Sequence, residues 1–281
     1  MAIEFMHVDV FSSRPYSGNS LAVFPNSARL TAEQMLRITQ ELRHFETIFF
    51  EPTRKASVFR ARVFDLFEEL PFAGHPIIGG GAVLHHQAGL REPQTWTVRL
   101  AGKTATVNTD RIEGGYYGLL DQGTPSLSPP LDRLAVFWES FGLTQADMHP
   151  ELPPQVVSTG LRYLIIPVAQ NVLGRARIRR DIRSMLSGIG AQFAVLFDEA
   201  ALEIRHWNND GIMEDVATGS AAGTIGAYRL RHGLTRGGEA FKLHQGQYVG
   251  RPSTLRVRPE GTAEAIQTIK VGGDVESHAC S

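Results

Sequence analysis

One short block occurs twice in this chain, and each time a glycine turn runs into a string of small and apolar residues. In the first half Glu69-Leu70-Pro71-Phe72-Ala73-Gly74-His75-Pro76 leads into Ile77-Ile78-Gly79-Gly80-Gly81-Ala82. In the second, Glu214-Asp215-Val216-Ala217-Thr218-Gly219-Ser220-Ala221 leads into Ala222-Gly223-Thr224-Ile225-Gly226-Ala227. His75 and Ser220 stand 145 positions apart. Arg62-Val63-Phe64 echoes Arg205-His206-Trp207 at 143, and Phe45-Glu46-Thr47-Ile48-Phe49-Phe50 echoes Phe193-Ala194-Val195-Leu196-Phe197 at 148. Chance can supply any one of these. Three at nearly one offset describe a duplicated unit of strand, strand, tight turn and small-residue helix. The 281 residues are therefore expected to form an α/β (α+β) fold of two pseudo-symmetric domains. Residues 1–120 would make the first and 131–262 the second, and residues from about 263 to 281 are a candidate completion of the first. The Pro-, Ser- and Gly-rich stretch 121–130 reads as a linker.

Each repeated turn precedes a helix that is apolar on nearly every side, which belongs inside a domain rather than on its surface. Glycine within a helix costs ~1 kcal/mol relative to alanine, so Gly79, Gly80 and Gly81 make sense where strands approach the helix axis closely. Pro76 suits a first helical position, and Ser220 is a good N-cap. Two other helices are expected. One runs from Thr31 to about Leu42, with a Thr31–Gln34 capping box and an apolar stripe of Met35, Ile38 and Leu42. The other runs from Asp132 to Phe141, with Leu134, Phe137, Trp138 and Phe141 on one face and Gly142 as terminator. Val8–Phe11 and Leu21–Phe24 read as strands. Met1 to Met6 reads as the start of a strand and lacks the build of a signal peptide.

Composition narrows the partners. Twenty-eight Lys and Arg face 29 Asp and Glu, for a formal charge of -1. That balance gives no electrostatic case for nucleic acid or an anionic membrane. No apolar run approaches the ~18 residues of a membrane span. The one cysteine, Cys280, excludes an internal disulfide, a cysteine zinc site and an iron–sulfur cluster, and a reducing cytoplasm is the expected setting. No His/Asp/Glu spacing matches a metal site.

The start of a buried helix offers unpaired N–H groups and the positive end of a dipole, a ready seat for a carboxylate or a developing oxyanion. Two matched turns carrying polar residues at the same step favour that use over tight packing alone. Glu46 sits in an apolar strand; buried there, it would have a raised pKa suited to a general base. The same local pattern fits a Glu facing solvent on an alternating strand equally well. Asp215 fits either a chemical role or the capping of the Thr-Gly turn. His75 fits a satisfied structural histidine, but its place beside the first helix start favours a polarising or hydrogen-bonding group. His85 and His86 read as packing or surface groups.

With these residues the sequence resembles the phenazine-biosynthesis-like (PhzF-like) isomerases of the diaminopimelate epimerase fold. The resemblance is carried by Asp9-Val10-Phe11, by Gly18-Asn19-Ser20-Leu21-Ala22-Val23-Phe24, by Glu46-Thr47, and by the Pro71–Pro76 and Glu214–Gly223 blocks. Gln245-Gly246 and Gly250-Arg251-Pro252-Ser253 extend it. It implies two domains, each a curved, mostly antiparallel sheet around a central helix, with the active site in a cleft between them. It implies an isomerase without cofactor or metal that moves a proton on a small carboxylate-bearing substrate, and a homodimer. Glu46, His75 and Asp215 fall on the family's catalytic positions; Asn19, Gly74, Gly219 and Ser220 fall on pocket positions. The chain departs from the family at Phe45, at Asp65-Leu66 and at Trp207-Asn208-Asn209, which bears on substrate choice. Amino-acid racemisation on the same scaffold uses a cysteine from each half, and here the corresponding stretches hold none. A binding protein that has lost the chemistry would have no need of Glu46, His75, Asp215 and the Gly219-Ser220 pair together.

Overall fold

A computed structural model describes residues 3–132 and 135–278. Met1, Leu134 and Cys280, named above, lie outside the described residues. The chain divides into two compact units, 1–121 with 272–281, and 122–271.

The first unit contains β1 (Met6–Val10), β2 (Asn19–Phe24), α1 (Ala32–Leu42), β3 (Glu46–Pro52), β4 (Val58–Phe64), β5 (Glu69–Leu70), α2 (Gly74–Ala88), β6 (Gln94–Arg99), β7 (Thr104–Ile112) and β8 (Gly115–Asp121). The second contains β9 (Ser126–Pro130), α3 (Ala135–Ser140), β10 (Gln155–Ser158), β11 (Arg162–Val168), α4 (Arg183–Gly188), β12 (Phe193–Asp198), β13 (Glu203–His206), α5 (Gly219–Arg231), β14 (Phe241–Gln245) and β15 (Ser253–Gly261). The last strand, β16 (Ile266–His278), begins in the second unit and passes to the first at Gly272.

In the first unit the strand order is β1-β2-β3-β4-β6-β7-β8-β16, and β16 also pairs with β1 (His7 with His278, Val10 with Val275), so eight strands close into a barrel. β2–β3 and β4–β6 are parallel there; those crossovers contain α1 and α2. α2 fills the barrel, and 12 of its 15 residues are buried. Its glycine run has the expected reason. A Cβ on Gly79 would lie 2.6 Å from Leu21, one on Gly80 2.6 Å from the Phe50 ring, and one on Gly81 2.9 Å from Val107. Successive helical residues point about 100° apart, so the three glycines admit β2, β3 and β7 in turn. α1 packs outside, with Met35 against Ala22, Phe24, Phe49 and Phe64. Its capping box at Thr31 and Gln34 is present as read.

The second unit repeats the plan around α5, of which 11 of 13 residues are buried. Its order is β9-β10-β11-β12-β13-β14-β15-β16, with β11–β12 and β13–β14 parallel. Gly226, the counterpart of Gly81, leaves room for Val257, which a Cβ would meet at 2.6 Å. A second apolar cluster lies on the opposite face of this sheet. It gathers Phe137, Trp138 and Phe141 with Leu164, Ile166, Leu196 and Trp207. The helix expected near Asp132 is described over Ala135–Ser140, and Gly142 takes a left-handed φ of 69° behind it.

Three local expectations are corrected. The stretch read as a linker contributes a strand, β9, whose prolines are tolerated because it pairs on one side only, with β10. Pro76 is the third residue of α2, where an N–H has no intrahelical partner either. Ser220 is the second residue of α5 rather than its cap; Thr218 occupies that place.

Candidate active site

The sequence-predicted site residues gather at the two helix starts, and the ladders set what surrounds each. Ile48 pairs with Val63, and Val195 pairs with His206. Matching Val63 with His206 then sets Glu46 against Phe193, not against Ala194 as the aromatic echo implied. A one-residue slip turns every side chain to the other face of a sheet. Phe49 accordingly packs beneath α1, whereas Phe197 meets Tyr228 of α5 at 6.4 Å.

At the start of α2, Glu46 is the first residue of β3 and lies beside Leu21 of β2. Asn19, two residues before Leu21 and so on the same face, is 2% exposed. His75 is the second residue of the helix and nearly buried. Its Nδ1 lies 3.3 Å from Glu46 Oε2, with 17% of the Glu46 side chain exposed. The cap residue, Ala73, makes no side-chain cap bond. A carboxylate paired with an imidazole, beside amides that favour negative charge, can take up a proton and steady the charge left behind.

At the start of α5 the groups differ. Ser220 Oγ and Tyr163 Oη share a hydrogen bond of 2.8 Å. The Tyr163, Phe193 and His206 rings lie 5.4–5.6 Å from one another. Burial lowers the His206 pKa and Asp215 opposes that shift; with Nδ1 2.9 Å from the Ala194 carbonyl, the neutral ring donates there. Asp215 holds the turn. One carboxylate oxygen accepts from Thr218 Oγ1 at 2.5 Å, the other from the Ala217 N–H at 3.3 Å. The capping role left open for Asp215 is thus present in the geometry.

Several contacts that organise these starts were missed in the sequence. Gln245 accepts from the Thr218 N–H at 2.9 Å and donates to the Asp215 carbonyl at 2.9 Å, spanning the second turn. Gln122 donates to the Gly219 carbonyl and accepts from Thr159 Oγ1. Gly223 is bare because Gln122 and Thr159 occupy the space of its Cβ. The larger omission is a repeated clamp. Arg62 binds both carboxylate oxygens of Glu69 and lies over Phe64 at 5.2 Å; Arg205 binds both of Glu214 and lies over Trp207 at 4.4 Å. Each Glu stands five residues before the first helical glycine, so each clamp fixes the approach to a helix start. The signal was in view, since Arg-x-aromatic followed by Glu occurs in both halves at nearly one spacing.

Among the described residues no three His, Cys, Asp or Glu side chains gather as metal ligands. No described helix is long and apolar enough to cross a membrane.

Comparison with known proteins bears on the family and the fold. The model of the phenazine biosynthesis-like proteins matches residues 8–277. The uncharacterized isomerase YddE of Escherichia coli O157:H7 is 32% identical over 278 residues, covering 92% of this chain and 90% of YddE. The trans-2,3-dihydro-3-hydroxyanthranilate isomerase of Pseudomonas chlororaphis is 28% identical, covering 96% and 95%. The solved structure of a predicted epimerase from Pseudomonas aeruginosa superposes with a TM-score of 0.92 at 43% identity, covering 99% and 98%. A hydroxyproline epimerase from Agrobacterium vitis, at 13% identity and a TM-score of 0.66, shares the fold. With the family model spanning nearly the whole chain, the protein belongs to the phenazine biosynthesis-like family, on the fold shared by PhzF proteins and proline-racemase-like epimerases.

Proposed function

We propose that the protein is a cofactor-independent isomerase that moves a proton on a small carboxylate-bearing metabolite, with Glu46 as the base. The observation that carries this reading is the Glu46–His75 pair, 3.3 Å apart at the start of the barrel helix. Glu46 as carboxylate removes a proton from carbon beside an unsaturated or carboxylate-bearing centre. His75 holds the carboxylate's orientation. Developing negative charge is met by amides at Gly74 and His75. Glu46 also returns the proton, because both Asp215 oxygens already accept hydrogen bonds within their own turn. General acid–base catalysis of this kind contributes ~10²–10⁴-fold.

The test is solvent exchange. Relatives named as trans-2,3-dihydro-3-hydroxyanthranilate isomerases make that acid the first compound to try, followed by other small unsaturated carboxylic acids. In deuterated water the wild type is expected to wash deuterium into substrate or product, and Glu46→Gln to lose the exchange. Exchange at the wild-type rate in Glu46→Gln would remove Glu46 from its role. Deuterium at a stereocentre with inversion and no double-bond shift would redirect the reading to epimerisation.

A further inference from the structure

We propose that His7, Ser20 and His44 form a binding site for a divalent metal ion that favours imidazole (zinc, nickel or copper) on the outer face of the first barrel. His7 Nε2 lies 2.9 Å from Ser20 Oγ, and His44 Nδ1 lies 2.7 Å from the same oxygen. The two rings stand 4.8 Å apart, centre to centre. Three separate pieces of chain supply them: β1, β2, and the short turn between the left-handed Arg43 and β3. Val8, Val10 and Leu21 point at α2, so His7 and Ser20, one place out of step with them, point away from it. All three residues are half-buried, which leaves an ion a way in from solvent.

The spacing suits a cation. Ligands ~2.1 Å from one ion and ~90–109° apart are separated by ~3.0–3.4 Å, so the two nitrogen–oxygen distances need open by only a few tenths of an ångström. The protons allow it as well. Ser20 has one proton for two rings, so one ring accepts from it and the other donates to it. When an ion binds, the donating ring shifts its proton to its other nitrogen, Ser20 ligates through a lone pair, and water completes the shell. Asp9 lies directly across from Ser20 in the β1–β2 ladder, on the same face, and its carboxylate favours positive charge there. Two imidazoles select zinc, nickel or copper over magnesium or calcium, which prefer oxygen ligands. The competing account is that the trio is only a hydrogen-bonded fastener for the turn before β3.

The two accounts part on metal binding by the whole chain, untagged and freed of metal by chelation, with Cys280→Ser as parent because a thiolate also ligates zinc. Calorimetry with zinc chloride is expected to show one ion per chain, undisturbed by excess magnesium. Loss of an outer-shell partner alone costs about 10–100-fold in affinity, so His7→Gln and His44→Gln should each weaken zinc by about tenfold or more, and the exposed His244→Gln should not. Copper(II) on the parent should show two coupled nitrogens by electron paramagnetic resonance, a readout that requires no histidine variant to fold. No saturable zinc binding by ~1 mM, displacement of zinc by magnesium, fewer than two coupled nitrogens, or parental zinc affinity in both His7→Gln and His44→Gln overturns the site. A lowered melting temperature in those variants without zinc binding by the parent would leave the fastener as the whole account.

Discussion

The two central helices begin alike and are furnished differently. Each follows an Arg–Glu clamp over an aromatic ring, and each starts on glycine after an extended residue without a side-chain cap bond. Around α2 the neighbouring groups are Glu46 and His75. Around α5 they are Tyr163, Ser220, Phe193 and a neutral His206. The duplicated scaffold thus retains the parts that aim a helix start, and varies the side chains around it. A carboxylate–imidazole pair stands in one half, and a pair of hydroxyls in the other.

That division can be tested, beginning with the largest effect. Glu46→Gln should lower isotope exchange by ~10²–10⁴-fold, whereas Asp215→Asn, which loosens a turn without removing the base, should cost on the order of tenfold, about one hydrogen bond. Equal losses in the two variants would break the division. Next come the clamps. Arg205 is 1% exposed, also donates to the Leu173 and Ala176 carbonyls, and is sandwiched between Trp207 and Tyr248 at 4.4 Å each. Arg62 and Glu69 are 33% and 30% exposed in their side chains. Removing one partner of a buried pair costs about 3–5 kcal/mol, and of an exposed pair about 1 kcal/mol or less. Urea unfolding should show that gap between Arg205→Met and Arg62→Met, and matching values would mean that the second clamp gains nothing from its burial.

Smaller effects follow. Gly80→Ala and Gly226→Ala each press a methyl group on a neighbour at 2.6 Å, and overpacking of this kind costs about 1–3 kcal/mol. A neutral outcome for Gly80→Ala, read by thermal unfolding, would show that Phe50 can step aside. The smallest effect is on pH dependence. His206 is held below its ordinary value of 6.5 by burial, so the unfolded chain binds the proton that the folded chain refuses. Stability should therefore fall as pH drops below about 6.5, and the fall should be shallower in His206→Gln. His85 and His232, also lowered by burial, would keep the slope from vanishing. A steeper slope in His206→Gln would reverse the sign of this contribution.

Much of the fold was legible because the duplication repeats chemistry that only one geometry uses. Three glycines in an apolar run demand close strands, and Thr31 with Gln34 marks a helix start by itself. The strand register was harder to read. Phe45-Glu46-Thr47-Ile48-Phe49-Phe50 and Phe193-Ala194-Val195-Leu196-Phe197 align by their aromatics at 148, yet the ladders align them at 147. Aromatic rings pack on either face, so their spacing does not fix which face is inward. Ser126–Pro130 looked like a linker because proline and serine signal turns locally, while the pairing with β10 is a long-range fact. The Glu46–His75 approach could be inferred only through family resemblance, since 29 residues separate the two in sequence. The Gln245 contacts to the second turn lie as far beyond local pattern.

The passage of β16 from one unit into the other has a consequence for biosynthesis. Residues 122–271 leave the ribosome as an uninterrupted stretch able to collapse on its own contacts. The barrel around α2 lacks its eighth stave until 272–278 emerge, so the half translated earliest is the half completed last. In the interval β1 and β8 each present an open edge, the kind of surface on which strands from other chains can add.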